Sequence, residues 1–175
     1  MNNPFSTFLH ITLFLFVLLS CNNNKGRKNV SESTLKEPLI DANKKMVKQE
    51  SDEIDQYVKL QGWKMRTSGS GLRYMIYDTT NKPFAQNGQM AKVKYKISLL
   101  DGTVCYSSEK NGFKEFLIGQ DHVESGLHEG IRYMKEGEKA LFVMPSHLAH
   151  GLSGDNDKVP PRSSLVFDIE LISLR

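Results

Sequence analysis

The stretch VPPRSSLVFDIEL, Val159 to Leu171, carries the clearest structural signal in the chain. Two consecutive prolines offer no amide hydrogens to a sheet, so a loop has to end where they end. Beyond them Leu165, Phe167, Ile169 and Leu171 alternate with Val166, Asp168 and Glu170. A period of two predicts a strand with one buried face.

Upstream segments repeat that logic. EKALFVMP, Glu138 to Pro145, reads as a strand, and FKEFLIG, Phe113 to Gly119, as another. A short helix near Glu124 to Met134 lies between them. GQMAKVKYKISLL places Val93, Tyr95, Ile97 and Leu99 on one face ahead of an Asp101-Gly102 turn, and TVCYSS returns from it as a hairpin partner. GLRYMIYDTT alternates likewise through Leu72, Tyr74 and Ile76. About five strands and one short helix predict an α+β fold, a curled antiparallel sheet wrapped on the helix.

The N-terminal part differs in character. Residues 4–20 carry no formal charge, are dense in Phe and Leu, and stop at Cys21. That is the shape of a secretory signal, too short for a confident membrane span. Leu18-Leu19-Ser20-Cys21 resembles a lipobox, in which Cys21 is lipidated; the alternative is an uncleaved anchor. Several acyl chains, at about 0.8 kcal/mol per buried CH₂, make attachment durable. Residues 21–40 are expected to form a lipidated, disordered tether. A helix is predicted from Ala42 to Leu60, capped by Asp41, with Val47, Ile54, Tyr57 and Val58 on one stripe. Lys44, Lys45, Lys48, Glu50, Asp52 and Glu53 make its other face a solvated surface. The domain plan is therefore a signal over 1–20, a tether over 21–40, a helix over 41–62 and a globular domain over 63–175.

Composition excludes several functions. Of 175 residues, 23 are Lys or Arg and 20 Asp or Glu, and the net charge of +3 is too small and dispersed for a nucleic-acid surface. With Cys21 lipidated, Cys105 has no disulfide partner and is expected to be a small buried hydrophobe. His122, His128, His147 and His150 lack the Cys or carboxylate frame of a metal site. Asp155-Asn156-Asp157 lacks the Gly and Glu of a calcium loop.

Three stretches, VKYKISLLDGTVCYSS, FLIGQDHVESGLHEGIRYMKEGEKALFVMPSHLAHG and VPPRSSLVFDIELISL, together resemble the FK506-binding protein family of peptidyl-prolyl isomerases. The likeness runs from about Gly88 to Leu174. It implies a hydrophobic pocket overhung by the Pro-Pro corner, with no cofactor. Tyr95, Phe116, Val123 and Phe167 match the family's pocket walls, and Val159 replaces an Ile. Glu124 stands where a backbone amide meets the ligand. Four positions depart: the family's second-strand Phe is Cys105, its Asp is Tyr106, its pocket-floor Trp is Leu127 and its loop Tyr is His150. Losing both the Asp and the loop Tyr implies a loss of polar contacts.

The signal, tether and helix ahead of such a domain resemble the layout of gliding-motility-associated isomerase lipoproteins of the Bacteroidetes. This likeness implies an envelope location, with the domain facing the periplasm, and proline-containing envelope proteins as clients. The competing expectation is a binding or assembly module with little or no turnover.

Overall fold

The computed structural model describes residues 32–175, so the apolar run 4–20, Cys21 and the first part of the tether lie outside the described residues. The chain divides into two compact units after Asp41, and everything from Ala42 onward forms the second. The elements in order are α1 (Glu32–Leu60), β1 (Arg66–Thr67), β2 (Arg73–Asp78), β3 (Met90–Leu99), β4 (Val104–Ser107), α2 (Ser108–Asn111), β5 (Lys114–Leu117), α3 (Ser125–Ile131), β6 (Lys139–Met144) and β7 (Leu165–Leu174). A short 3₁₀ turn, Ser146–Leu148, follows β6.

Among the described residues all seven strands join one antiparallel sheet, two more than the roughly five expected. Its path is β1-β2-β6-β7-β3-β4, with β5 also paired to β3. The strand that follows the two prolines is thus central, hydrogen-bonded to β6 on one side and β3 on the other. Its expected inner face is buried, with Leu165, Phe167, Ile169 and Leu171 each at most 1% exposed.

The inner face packs on α3, which presents Leu127 and Ile131 to the core. Phe142 and Phe167 stand opposite each other across β6 and β7. The helix passes close over them: a Cβ added at Gly130 would lie 2.6 Å from the Phe142 ring, so only glycine fits there.

The outer face corrects the half-buried reading of β7. Val166 is 5% exposed because α1 lies across it. Val166 pairs with Val143 across β6 and β7, and both join Ile54 of α1 in a second apolar cluster. Tyr57, Val58 and Trp63 pack around it, with Tyr57 and Trp63 edge to face at 5.7 Å. Val47 was assigned to this stripe but is exposed, since Ile54 is the residue that meets the sheet.

α1 also starts ten residues before the expected Ala42, so 32–40 is helix where tether was expected and Asp41 is interior to the helix, not a cap. Glu32, Leu35, Lys36 and Glu37 are good helix formers, and the helix continues through Pro38.

Glu50 was placed on the solvated face, yet it is an anchor. Its carboxylate accepts the Ser146 N–H at 2.6 Å, the Ser146 hydroxyl at 3.0 Å and the Ser164 hydroxyl at 2.8 Å. These serines begin the 3₁₀ turn and precede β7, so one side chain ties α1 to both segments. Arg73, 4% exposed, makes a second tie by donating to Asp55 and to Ser51. Glu50→Ala leaves three buried or half-buried donors without their acceptor. A loss of about 1–3 kcal/mol is expected in urea unfolding, whereas the neighbouring exposed Lys48→Ala should change it by less than about 0.5 kcal/mol.

Candidate functional site

The concave side of the sheet, at the N-terminal end of α3, collects the residues singled out from the sequence. β3 supplies Tyr95, β4 Cys105 and Tyr106, β5 Phe116, and β7 Phe167. Val123 and Glu124 lead into α3, which adds Leu127, while His150 and Val159 come from the loop between β6 and β7. Tyr95, Tyr106 and Val123 pack on the cluster that contains Cys105, Phe116, Leu127, Val159 and Phe167.

The set separates into a floor and a rim. Phe116, Leu127 and Phe167 are each 1% exposed and Val159 3%, so they form a closed apolar base. Tyr95, Tyr106, Val123 and His150 are half-buried and form the accessible surface above it. Tyr95 is fixed by its backbone: β5 pairs with β3 as far as Val93 and β4 pairs from Lys96, which leaves the Tyr95 amide between them. Ser108 at the start of α2 accepts that N–H at 2.8 Å. Burial, and then the charge of Glu124, raise the Tyr95 phenol above its ordinary range, so it stays neutral.

Polar groups ring this surface. Glu124, 8% exposed, meets Lys114 at 3.1 Å and His150 at 3.4 Å. Among the described residues nothing accepts the backbone N–H of Glu124. On the opposite side the Tyr106 hydroxyl donates to Asp155 Oδ2 at 2.5 Å, with Asp157 Oδ2 3.2 Å away. Lys158 stands over the Tyr106 ring at 4.8 Å. Asp155 Oδ1 accepts the amides of Asp157 and Val159, so one carboxylate shapes the loop and fastens it to β4. The Cys105 thiol, raised chiefly by burial, donates to the Lys158 carbonyl at 3.5 Å.

The Asp155 clamp gives a pH signature. Burial pushes its carboxyl up, but the Tyr106 hydroxyl and the two amides outweigh it and hold it at about 2. A carboxyl depressed from its ordinary value near ~3.9 stabilises the fold above that pH and loses the contribution as pH falls through the folded value. Tyr106→Phe is therefore expected to lower stability by about 1–2 kcal/mol at neutral pH. The difference from the parent protein should shrink steadily below pH ~4, as followed by urea midpoints across an acid series.

A family model for the FKBP-type peptidyl-prolyl cis-trans isomerases matches residues 81–172. The chain belongs to this family. The probable FKBP-type isomerase FkpA of Neisseria meningitidis serogroup B is 37% identical over 111 residues, which make up 63% of this chain and 40% of that protein. The chain thus spans less than half the length of that relative. The crystal structure of AtFKBP13 superposes with a TM-score of 0.60 at 32% identity, over 64% of this chain and 99% of its own. The crystal structure of FkpA from Escherichia coli is similar in fold, with a TM-score of 0.61 at 24% identity, the match covering 100% of this chain and 84% of that one.

All ten FKBP-matched positions lie on one side of the sheet, but Cys105, Phe116, Leu127, Val159 and Phe167 lie beneath the surface and not on it. The expected loss of polar contacts is replaced by an exchange. Where the family resemblance places an acid on the strand and a tyrosine on the loop, this chain has Tyr106 on β4 and Asp155 on the loop, joined by a hydrogen bond. In the sequence Asp155 belongs only to an incomplete calcium-loop pattern, and Lys114 and Lys158 carry no site signal. An acid in a loop that flanks a substituted strand position is the only signal that pointed to Asp155. Its partner lies 49 residues away and becomes evident once β4 is in place.

Proposed function

We propose that this FKBP domain isomerises X-Pro bonds in proteins of the bacterial cell envelope, and that a lipid on Cys21 holds it at a membrane with the domain facing the periplasm. The observation that carries the activity is the unclaimed Glu124 N–H beside the Tyr95, Tyr106 and Val123 surface.

Rotating an amide costs ~18–20 kcal/mol because resonance is lost, and an uncatalysed X-Pro bond takes tens to hundreds of seconds. The chemistry needs neither a nucleophile nor a metal. A water-poor apolar surface favours the twisted amide, whose charge separation is smaller, while a backbone N–H holds a neighbouring carbonyl of the chain. Tyr95 and Val123 would cradle the pyrrolidine, and Tyr106 and His150 would bound it. Relatives named as isomerases support the reading. The arrangement of signal, tether and helix supports an envelope client set, including proteins of a gliding apparatus.

The closed floor favours a second reading, a module that binds proline-containing segments without turning them over. A proline-limited peptide assay decides between them. Acceleration that is abolished by Tyr95→Ala supports the enzyme, and its absence at micromolar protein supports the module. For the anchor, Cys21→Ser should release the protein from the membrane fraction and abolish palmitate labelling.

A further inference from the structure

A second surface, unconnected with the proline site, lies at the other end of α3. β1 is two residues long, and its register with β2 ends at Arg66 opposite Tyr74. The Leu72 carbonyl accepts the Ser68 amide on the β1 side. By the two-residue alternation of a strand, Tyr74 and Ile76 turn their backbone groups the same way. Tyr74 still has β1 beside it, but Ile76, paired with Ala140 of β6 on the other side, has no strand next to it on this side among the described residues. β2 therefore presents an open edge from Met75 to Asp78, ~13 Å of chain at strand rise.

A groove of about 690 Å³ runs along that edge. One wall is aromatic: Tyr74 and Tyr133 stack at 4.4 Å and 11°, and Phe84, 56% exposed, stands at the mouth. Four cations line the groove, Lys64, Arg66, Arg132 and Lys135. Lys64, Arg66 and Arg132 are exposed and none has a carboxylate within ion-pairing distance. The single acid of the lining, Glu138, is 3% exposed, and its two oxygens accept the amides of Thr80 and Lys135. Lys135 is engaged, donating to the Thr80 carbonyl at 3.3 Å and standing over the Phe84 ring at 4.9 Å. The exposed charges of Lys64, Arg66 and Arg132 therefore face the groove with no carboxylate in ion-pairing contact.

We propose that this groove binds an extended, acidic protein segment as an added strand on β2. The open edge supplies main-chain hydrogen bonds at Ile76, the stacked rings receive alternate apolar side chains, and Lys64, Arg66 and Arg132 pair with the carboxylates between them. An acidic segment is selected over a basic one because burying it beside unpaired cations replaces repulsion with attraction.

The test titrates a fluorescein-labelled peptide of alternating glutamate and valine into the full-length protein, read by anisotropy. The peptide is expected to bind, and its lysine-valine counterpart is not. Arg66→Glu with Arg132→Glu, two exposed positions that leave folding intact, should weaken binding by about tenfold or more, as should added salt. Val123→Ala, in the proline site, should leave binding unchanged. The Ile76 amide resonance should shift on binding and exchange more slowly with solvent. An unmoved Ile76 amide, or equal binding by the double variant, would overturn the proposal and leave the edge cations as a guard against strand pairing. Binding to phosphatidylglycerol vesicles without binding to the peptide would overturn it too, in favour of a lipid surface.

Discussion

Phe167→Ala is expected to cost about 3–5 kcal/mol of stability, a large share of the 5–15 kcal/mol that typically holds a domain together. The ring is 1% exposed, stands opposite Phe142 on β6 and Ile97 on β3, and lies beneath the candidate site. No neighbour can collapse into the space, because β7 is held by strands on both sides. The urea midpoint should fall with an unchanged slope. Phe167→Leu, which keeps much of the volume, should cost less than about 1.5 kcal/mol. A comparable loss from both variants would mean that the ring is not the keystone of the core.

The second large effect concerns activity. Gly154 has φ +69, and a Cβ there would sit 2.2 Å from the Val159 carbonyl oxygen and 2.8 Å from the Pro160 carbonyl carbon. Backbone atoms cannot step aside as a flexible side chain can, so Gly154→Ala must open the loop. The Asp155 amide loses the Val159 carbonyl it now reaches at 3.2 Å, and the Tyr106 clamp loosens with it. Displacement of a site wall by an ångström can cost about a hundredfold in rate, so kcat/KM in the proline-limited assay should fall by ten- to a hundredfold. Gly88→Ala is the control. Its φ is also positive, +85, but nothing lies within 4 Å of the added Cβ. It should carry only the conformational cost of about 1–2 kcal/mol and keep its rate.

The strands could be read from sequence because each carries its own period of two, and local alternation survives folding. The Pro-Pro corner located the start of β7 for a similar reason: a missing N–H is a property of the residue alone. What could not be read depends on partners far along the chain. Val166 looked solvent-facing until Ile54, over a hundred positions earlier, covered it. Glu50 looked like any other charge on a polar helix face, and only the arrival of Ser146 and Ser164 turns it into an anchor. The rim of the site behaves alike. Tyr106 and His150 read singly as losses, and only the folded loop shows Asp155 and Glu124 meeting them.

The place of β7 has a consequence for how the protein is made. It is the last of the seven strands to leave the ribosome, yet it is the seam that joins β1, β2 and β6 to β3, β4 and β5. Until Leu165 to Leu174 emerge, the earlier strands form two half-sheets with bare edges, and neither can close around α3. Synthesis and folding of the sheet are therefore separated in time, because the two halves cannot be sewn together before β7 is available.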